Sequence, residues 1–209
     1  MSEQESATAE LLDLASRGDK AARGQLFTQH RHRLRQMVAF HMDRRLATRV
    51  DPSDVVQEAF TDAAQRLSDY LRRRPLPFYP WLRQLAWERL LDLHRRHIIA
   101  QKRSIQREEA PSLLLPDESA LELADRLVAQ GSSPIGQLLR KEQRERIRDA
   151  LTLLGPRDQE VLVLRHLEQL SISETAAVMS VSEGVVKTRH LRALQRFRDL
   201  LLAEGEGQS

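Results

Sequence analysis

Between Arg89 and Arg107 the chain sets Arg89, Arg95, Arg96, Lys102, Arg103 and Arg107 against a single acid, Asp92, before the line turns acidic at Glu108. Such a cluster is suited to a polyanion, whose phosphates it neutralises one by one. Trp87 stands just ahead of it, and an aromatic face beside a phosphate-binding stripe is what stacking of an unpaired base requires. A second basic run, Lys187, Arg189, Arg192, Arg196 and Arg198, follows a different signal. Ser171-Ile172-Ser173-Glu174 has the spacing of a capping box, in which Ser and Glu satisfy each other's free amide donors at a helix start. Ala176 and Ala177 are small enough for close helix crossing, and Ser180-Val181-Ser182 ends that helix and caps the next. A short helix, a turn with one apolar plug (Val181) and a longer basic helix form the layout that puts a recognition helix in the major groove.

The periodicity of that last helix sorts its faces. Val186, His190, Ala193, Phe197 and Leu200 or Leu201 step along an apolar side, so His190 is expected to be packed. Lys187, Thr188, Leu191 and Arg192 lie on another side, with Arg189 beside them. Lys187 and Arg192 reach base edges or phosphates, Thr188 does either, and Leu191 meets a thymine methyl. Arg189, Arg196 and Arg198 fit phosphate contacts or a solvated flank equally well.

Other chemistries lack their parts. With no cysteine there are no disulfides, no thiol nucleophile and no Cys-ligated metal. Asp92 and His94 are two apart on a helix and do not share a face, His94 and His97 have no identifiable third ligand, and His30 with His32 fails likewise. Neither catalysis, nor a metal, nor a cofactor is expected. The 209 residues are 41% hydrophobic and 30% charged, with a net charge of only +3, a soluble mixture able to bury a core. Positive charge concentrates in the first half, whereas 111–140 is net acidic. Eight glycines and 4% aromatics favour helices over sheets. The opening MSEQESATAE lacks the basic and apolar regions of a signal peptide, and no apolar run approaches ~18 residues. A cytoplasmic protein without membrane insertion is expected.

Helices must position these groups. A short one around Leu11, Leu12 and Leu14 closes at Gly18, and a long one carries Leu26, Leu34, Met37, Val38, Met42 and Leu46, with His30 a semi-buried spacer. Asp51 as cap, Pro52 at the first position and Asp54 at the positive dipole end start a third. Its apolar stripe is Val56, Phe60, Ala63, Leu67 and Leu71, leaving Asp54, Gln57, Glu58, Thr61, Asp62 and Gln65 mostly elsewhere. Pro75 and Pro77 break the chain, and a fourth helix is expected from about Phe78 to Arg96. There Trp81, Leu82, Leu85, Ala86 and Leu93 form one side, with Arg83, Trp87 and His94 opposite, on the wet side. Residues 104–140, rich in Pro, Gly and Ser, read as a linker with at most one short helix near Leu121 to Val128. A second helical block runs from Lys141, broken at Gly155-Pro156, and 203–209 reads as a disordered tail.

Taken together, these segments resemble the sigma factors of bacterial RNA polymerase, the sigma-70 family, in its small extracytoplasmic-function (ECF) type. Asp54-Val55-Val56-Gln57-Glu58-Ala59-Phe60 is similar to the core-polymerase-binding helix of the family's second region. Phe78, Trp81-Leu82, Ala86 and Asp92 to Arg96 resemble its promoter-melting helix, and residues 147–202 its fourth region. The resemblance implies an all-α protein of two small helical domains: 1–103 as region 2, 104–140 as linker and 141–202 as region 4 with its helix-turn-helix. It implies docking on core RNA polymerase, at its clamp and flap regions, through Asp54, Gln57, Glu58 and Asp62. Promoter DNA would be held at the −10 element by Trp87, Arg89, His94, Arg95, Arg96, Lys102 and Arg103. At the −35 element it would be read by Lys187, Thr188, Arg189, Leu191 and Arg192. An anti-sigma factor is a further implied partner, and initiation without enzymatic activity of its own the implied role. Family members usually carry an Arg-Asn-type polar pair where Trp87-Glu88 stand here. The alternative is a helix-turn-helix regulator that binds duplex operator without polymerase. It leaves unexplained a first domain in which an acidic amphipathic helix precedes a basic, aromatic-bearing one.

Overall fold

The computed structural model describes residues 3–102, positions 116, 119, 120, 122, 123, 126 and 146, and residues 149–206. The chain divides into two units, Met1–Leu113 and Leu114–Ser209, a boundary inside the expected linker. Among the described residues every regular element is helical.

In the first unit α1 (Glu3–Ser16) ends in a turn where Gly18 takes φ 95°, a left-handed conformation that costs glycine little. Asp19 then caps α2 (Lys20–His41), its carboxylate accepting from the Ala21 and Ala22 amides at 2.8 and 3.1 Å. The single long helix expected to reach Leu46 is in fact two. Met42 is extended (φ −84°, ψ 120°), and Asp43 accepts from the Arg45 amide at 2.7 Å to start α3 (Arg44–Ala47). Met42 and Leu46 remain buried, so the hydrophobic pattern survives the break that Asp43 introduces. Asp51 caps α4 (Pro52–Arg73) through the Ser53 amide at 2.7 Å. That bond, followed by the Ser53 hydroxyl, holds the Asp51 carboxyl below its ordinary pKa. Helix α4 ends at Arg74 in the left-handed region, and the Tyr70 hydroxyl donates to the Leu76 carbonyl at 3.0 Å, tying the loop to the helix. Helix α5 (Phe78–Lys102) outruns the expected end at Arg96.

The core joins Leu26, Leu34 and Val38 of α2, Val55, Val56 and Ala63 of α4, and Leu82, Ala86 and Leu90 of α5. Because α2 and α4 both pack on α5, the expected wet side of α5 is largely covered. Arg83 and His94 are buried, and Trp87 is half-buried with its ring edge-on to His41 at 4.8 Å. A helix flanked on two sides cannot be read from one stripe.

In the second unit, helical residues 149–153 stop before Gly155, and Pro156 opens α6 (Pro156–Leu162). A π-helical turn, Val163–Leu167, follows, and then α7 (Ile172–Met179) and α8 (Glu183–Glu206). The tail expected to be disordered from 203 is helical as far as Glu206. The capping box is formed: the Glu174 amide donates to Ser171 Oγ at 3.2 Å, and the Ser171 amide to Glu174 Oε2 at 2.8 Å. Ser171→Ala is expected to cost about 1 kcal/mol, read as a lowered denaturant midpoint at unchanged slope. Ser180 adopts φ 54°, turning the chain into α8 with Val181 half-buried in the turn. Leu162, Leu164, Leu167 and Leu170 pack with Val186, Ala193 and Phe197 of α8 in the buried set.

The expected linker is not bare throughout. Ser119, Ala120 and Leu123 are buried, and Arg126 donates to the carbonyls of His166 and Leu167 at 3.2 and 2.7 Å while pairing with Glu122 at 2.7 Å. Part of 104–140 therefore belongs to the second unit.

Candidate nucleic-acid interface

Helix α8 separates its faces as its periodicity predicts. Val186, Ala193 and Phe197 are buried, and Lys187, Thr188, Leu191 and Arg192 are exposed, Leu191 at 58%. Arg189 is half-buried at the border. Thr188 Oγ1 donates to the Gly184 carbonyl at 3.0 Å, which leaves its lone pairs outward. Val185, 42% exposed and unassigned from the sequence, stands one turn before Arg189 and two before Arg192. Of the three arginines left undecided by sequence, Arg196 and Arg198 now differ. Arg196 reaches across to Asp158 of α6 at 2.5 Å, and Asp158 is 7% exposed, so Arg196 braces the domain. Arg198 pairs with its neighbour Asp199 at 3.1 Å on the surface.

In the first unit the exposed side of α4 carries Asp54, Gln57 and Glu58. Asp62, expected with them, is half-buried and engaged: Arg89 donates to its two carboxylate oxygens from Nε and Nη2, each at 2.6 Å. Two residues expected on different interfaces thus share one bidentate bridge between α4 and α5, and the Asp62 hydrogen bond raises the Arg89 pKa further. Glu88, next to Trp87, lies 3.9 Å from Arg66. Arg95 and Arg96 are exposed near the end of α5, Arg95 pairing with Asp92 at 2.5 Å. Trp87 keeps part of its ring at the surface, with the Arg83 guanidinium 5.2 Å from the ring centre. His94, buried, offers no free surface. The side chain of Lys102 and all of Arg103 lie outside the described residues.

Sequence reasoning missed Arg126, Asp158, Arg165 and His166. Asp158 and Arg196 are 38 positions apart and Arg126 and Leu167 are 41 apart, so sequence spacing does not mark those contacts. His166 meets His190, Nε2 to Nε2 at 2.8 Å. Burial first, then His190 and Arg165, push the His166 pKa down to about 4, and burial with Arg165 lowers that of His190. The unfolded chain therefore takes up protons that the folded unit refuses. Stability contributed by keeping His166 neutral is expected to fall as pH drops from about 6.5 toward 4, by about 1 to 2 kcal/mol once its partial exposure is discounted. Thermal melts across that range, with His166→Asn flattening the dependence, check this. Among the described residues no group of three or more His, Asp or Glu is placed to hold a metal, and no helix is long and apolar enough to cross a membrane.

Comparison with known proteins covers both units. Residues 144–197 match the family model for sigma-70, region 4. The chain is 31% identical over 157 residues to the RNA polymerase sigma-E factor of Streptomyces avermitilis, spanning 69% of this chain and 80% of that protein. It is 29% identical over 188 residues to the ECF RNA polymerase sigma-E factor of Escherichia coli K12, spanning 88% of each. Among solved structures, CnrH in complex with the cytosolic domain of CnrY aligns over 97% of this chain and 99% of CnrH, at 25% identity and a TM-score of 0.51.

Proposed function

Because the chain belongs to the ECF sigma factors of the sigma-70 family, we propose that it binds core RNA polymerase and directs promoter recognition, strand opening and transcription initiation, without enzymatic activity of its own. The observation that carries this is the pairing, in one chain, of a helix-turn-helix with an exposed Lys187–Arg192 face and a separate helical unit with an exposed Asp54, Gln57 and Glu58 face. The first reads the −35 duplex, with Lys187, Thr188, Leu191 and Arg192 toward the groove and Arg189 on its flank. The second docks on the polymerase clamp. The end of α5 holds the opened −10 strand: Arg95 and Arg96, with Lys102 and Arg103 beyond them, take phosphates, and the exposed part of Trp87 stacks a base. Arg89 and Asp62 support this surface by locking α5 to α4 rather than by meeting a partner.

A cytoplasmic site of action follows from that role. CnrH is solved with the cytosolic domain of CnrY, and a comparable anti-sigma partner is proposed for this chain. The operator-binding reading leaves the exposed Asp54, Gln57 and Glu58 face of the first unit without a role.

Capture of purified core polymerase on the immobilised chain tests the docking surface. Gln57→Ala combined with Glu58→Ala is expected to weaken capture about tenfold, with helical content unchanged since both side chains are exposed. Equal capture by wild type and variant rejects that face.

A further inference from the structure

Beneath the recognition helix lies a contact that the promoter role leaves unused. The His166 and His190 rings have centroids 5.0 Å apart and planes at 27°, with their Nε2 atoms 2.8 Å apart. Ring nitrogens this close cannot both carry hydrogen, so one Nε2–H donates and the other Nε2 accepts. The pair joins the π-helical turn ahead of the helix-turn-helix to α8, at a position between buried Val186 and Ala193 and adjacent in sequence to exposed Leu191. The turn under His166 is itself held. Arg126 donates to the carbonyls of His166 and Leu167, and Arg165 donates to the carbonyl of Leu170. One side of the contact is therefore fixed, and the other is the helix that reads DNA.

We propose that His166 and His190 form an acid-sensitive brace: while a single proton lies between their Nε2 atoms the brace seats α8 for −35 reading, and a second Nε2 proton breaks it. This rests on the promoter-reading role of α8. The proton balance is explicit. A first added proton goes to the free Nδ1 of the donating ring, and the bond persists with a charged donor. The next must go to the accepting Nε2, which removes the only acceptor and sets two imidazolium N–H groups face to face.

Among the described residues, charged groups on the surrounding elements include Glu122 and Arg126 of the 119–126 segment, Arg157, Asp158 and Glu160 on α6, Arg165 on the π-helical turn with Glu168 just after it, Glu174 on α7, and Glu183, Lys187, Arg189, Arg192, Arg196, Arg198 and Asp199 on α8. Arg165 opposes charging of both rings. Glu174 accepts from the Ser171 amide, and Asp158 pairs with Arg196. Breakage has a sign that ordinary electrostatics does not share. Acidification adds positive charge and strengthens general binding to DNA, whereas loss of the brace lowers the preference for the right sequence.

The test uses the full-length chain. Imidazole resonances are followed by NMR, and binding is compared at constant salt between a duplex bearing the −35 element of a start site mapped for this factor and a scrambled duplex of equal length. The two rings are expected to titrate as a coupled pair in two steps. Wild type should lose at least about fivefold of its preference between about pH 7.5 and 4, while His190→Leu keeps its own preference within about twofold across the same range. His166→Asn serves as the second variant should the first fail to fold, and is expected to flatten the profile likewise. Independent titration of the rings, or equal pH profiles for wild type and both variants, overturns the brace. Coupled titration in a chain that prefers no −35 duplex even at neutral pH retains the brace and overturns the promoter reading of α8.

Discussion

Lys187→Ala combined with Arg192→Ala is expected to weaken binding to the cognate −35 duplex by about 2 to 6 kcal/mol, about thirtyfold to twenty-five-thousandfold, each residue supplying about 1 to 3. Both side chains are exposed, on a different face of α8 from buried Val186, Ala193 and Phe197. Stability should therefore move by no more than about 0.5 kcal/mol. Titrations with base-pair-substituted duplexes distinguish the two ways the loss can arise. Base contacts give a loss concentrated at particular positions. Phosphate contacts give a loss uniform across sequences, together with a shallower salt dependence.

That face was legible in the sequence because an exposed helix surface over an apolar seat leaves a 3.6-residue signature, and because the Ser171 to Glu174 cap and the Ser180 to Ser182 turn use local chemistry. The Asp51-Pro52 start of α4 was legible for the same reason. Helix α5 was not. Its neighbours cover two sides, so Arg83 and His94, placed on the wet side by counting from one stripe, are buried, and Trp87 spends part of its ring on His41. The break at Met42 was masked because Met42 and Leu46 stay in the core on either side of it. Asp158 and His166 gave no local signal, since each is defined by a partner far along the chain, and of the contacts of Arg126 only the pairing with Glu122 is local.

Asp62→Ala carries the second large expectation, a loss of about 1 to 3 kcal/mol in the stability of the first unit. The Arg89–Asp62 bridge is bidentate, with side chains 31% and 16% exposed, so removing the carboxylate strands a guanidinium that is mostly out of water. Arg89→Ala should cost a similar amount. The double replacement should cost less than the sum, with a coupling of about 1 kcal/mol or more in a double-mutant cycle read by denaturant melts. If instead Asp62 meets polymerase and Arg89 meets DNA independently, the two single changes add, and each weakens its own complex with stability intact. The distinction matters for how the first unit works. In the proposed role, a locked α4–α5 pair would present the Asp54, Gln57 and Glu58 face and the basic end of α5 as one rigid piece, as opening a duplex against a fixed machine would demand.

If this chain confers promoter-specific initiation on core RNA polymerase, reconstituted transcription on genomic DNA from its own host, with core enzyme and saturating chain, will reveal it. The expected result is discrete transcript starts that depend on the added chain and share −35 and −10 elements at constant spacing. Core enzyme that starts nowhere at saturating chain, while the chain alone binds a duplex operator tightly, contradicts the claim.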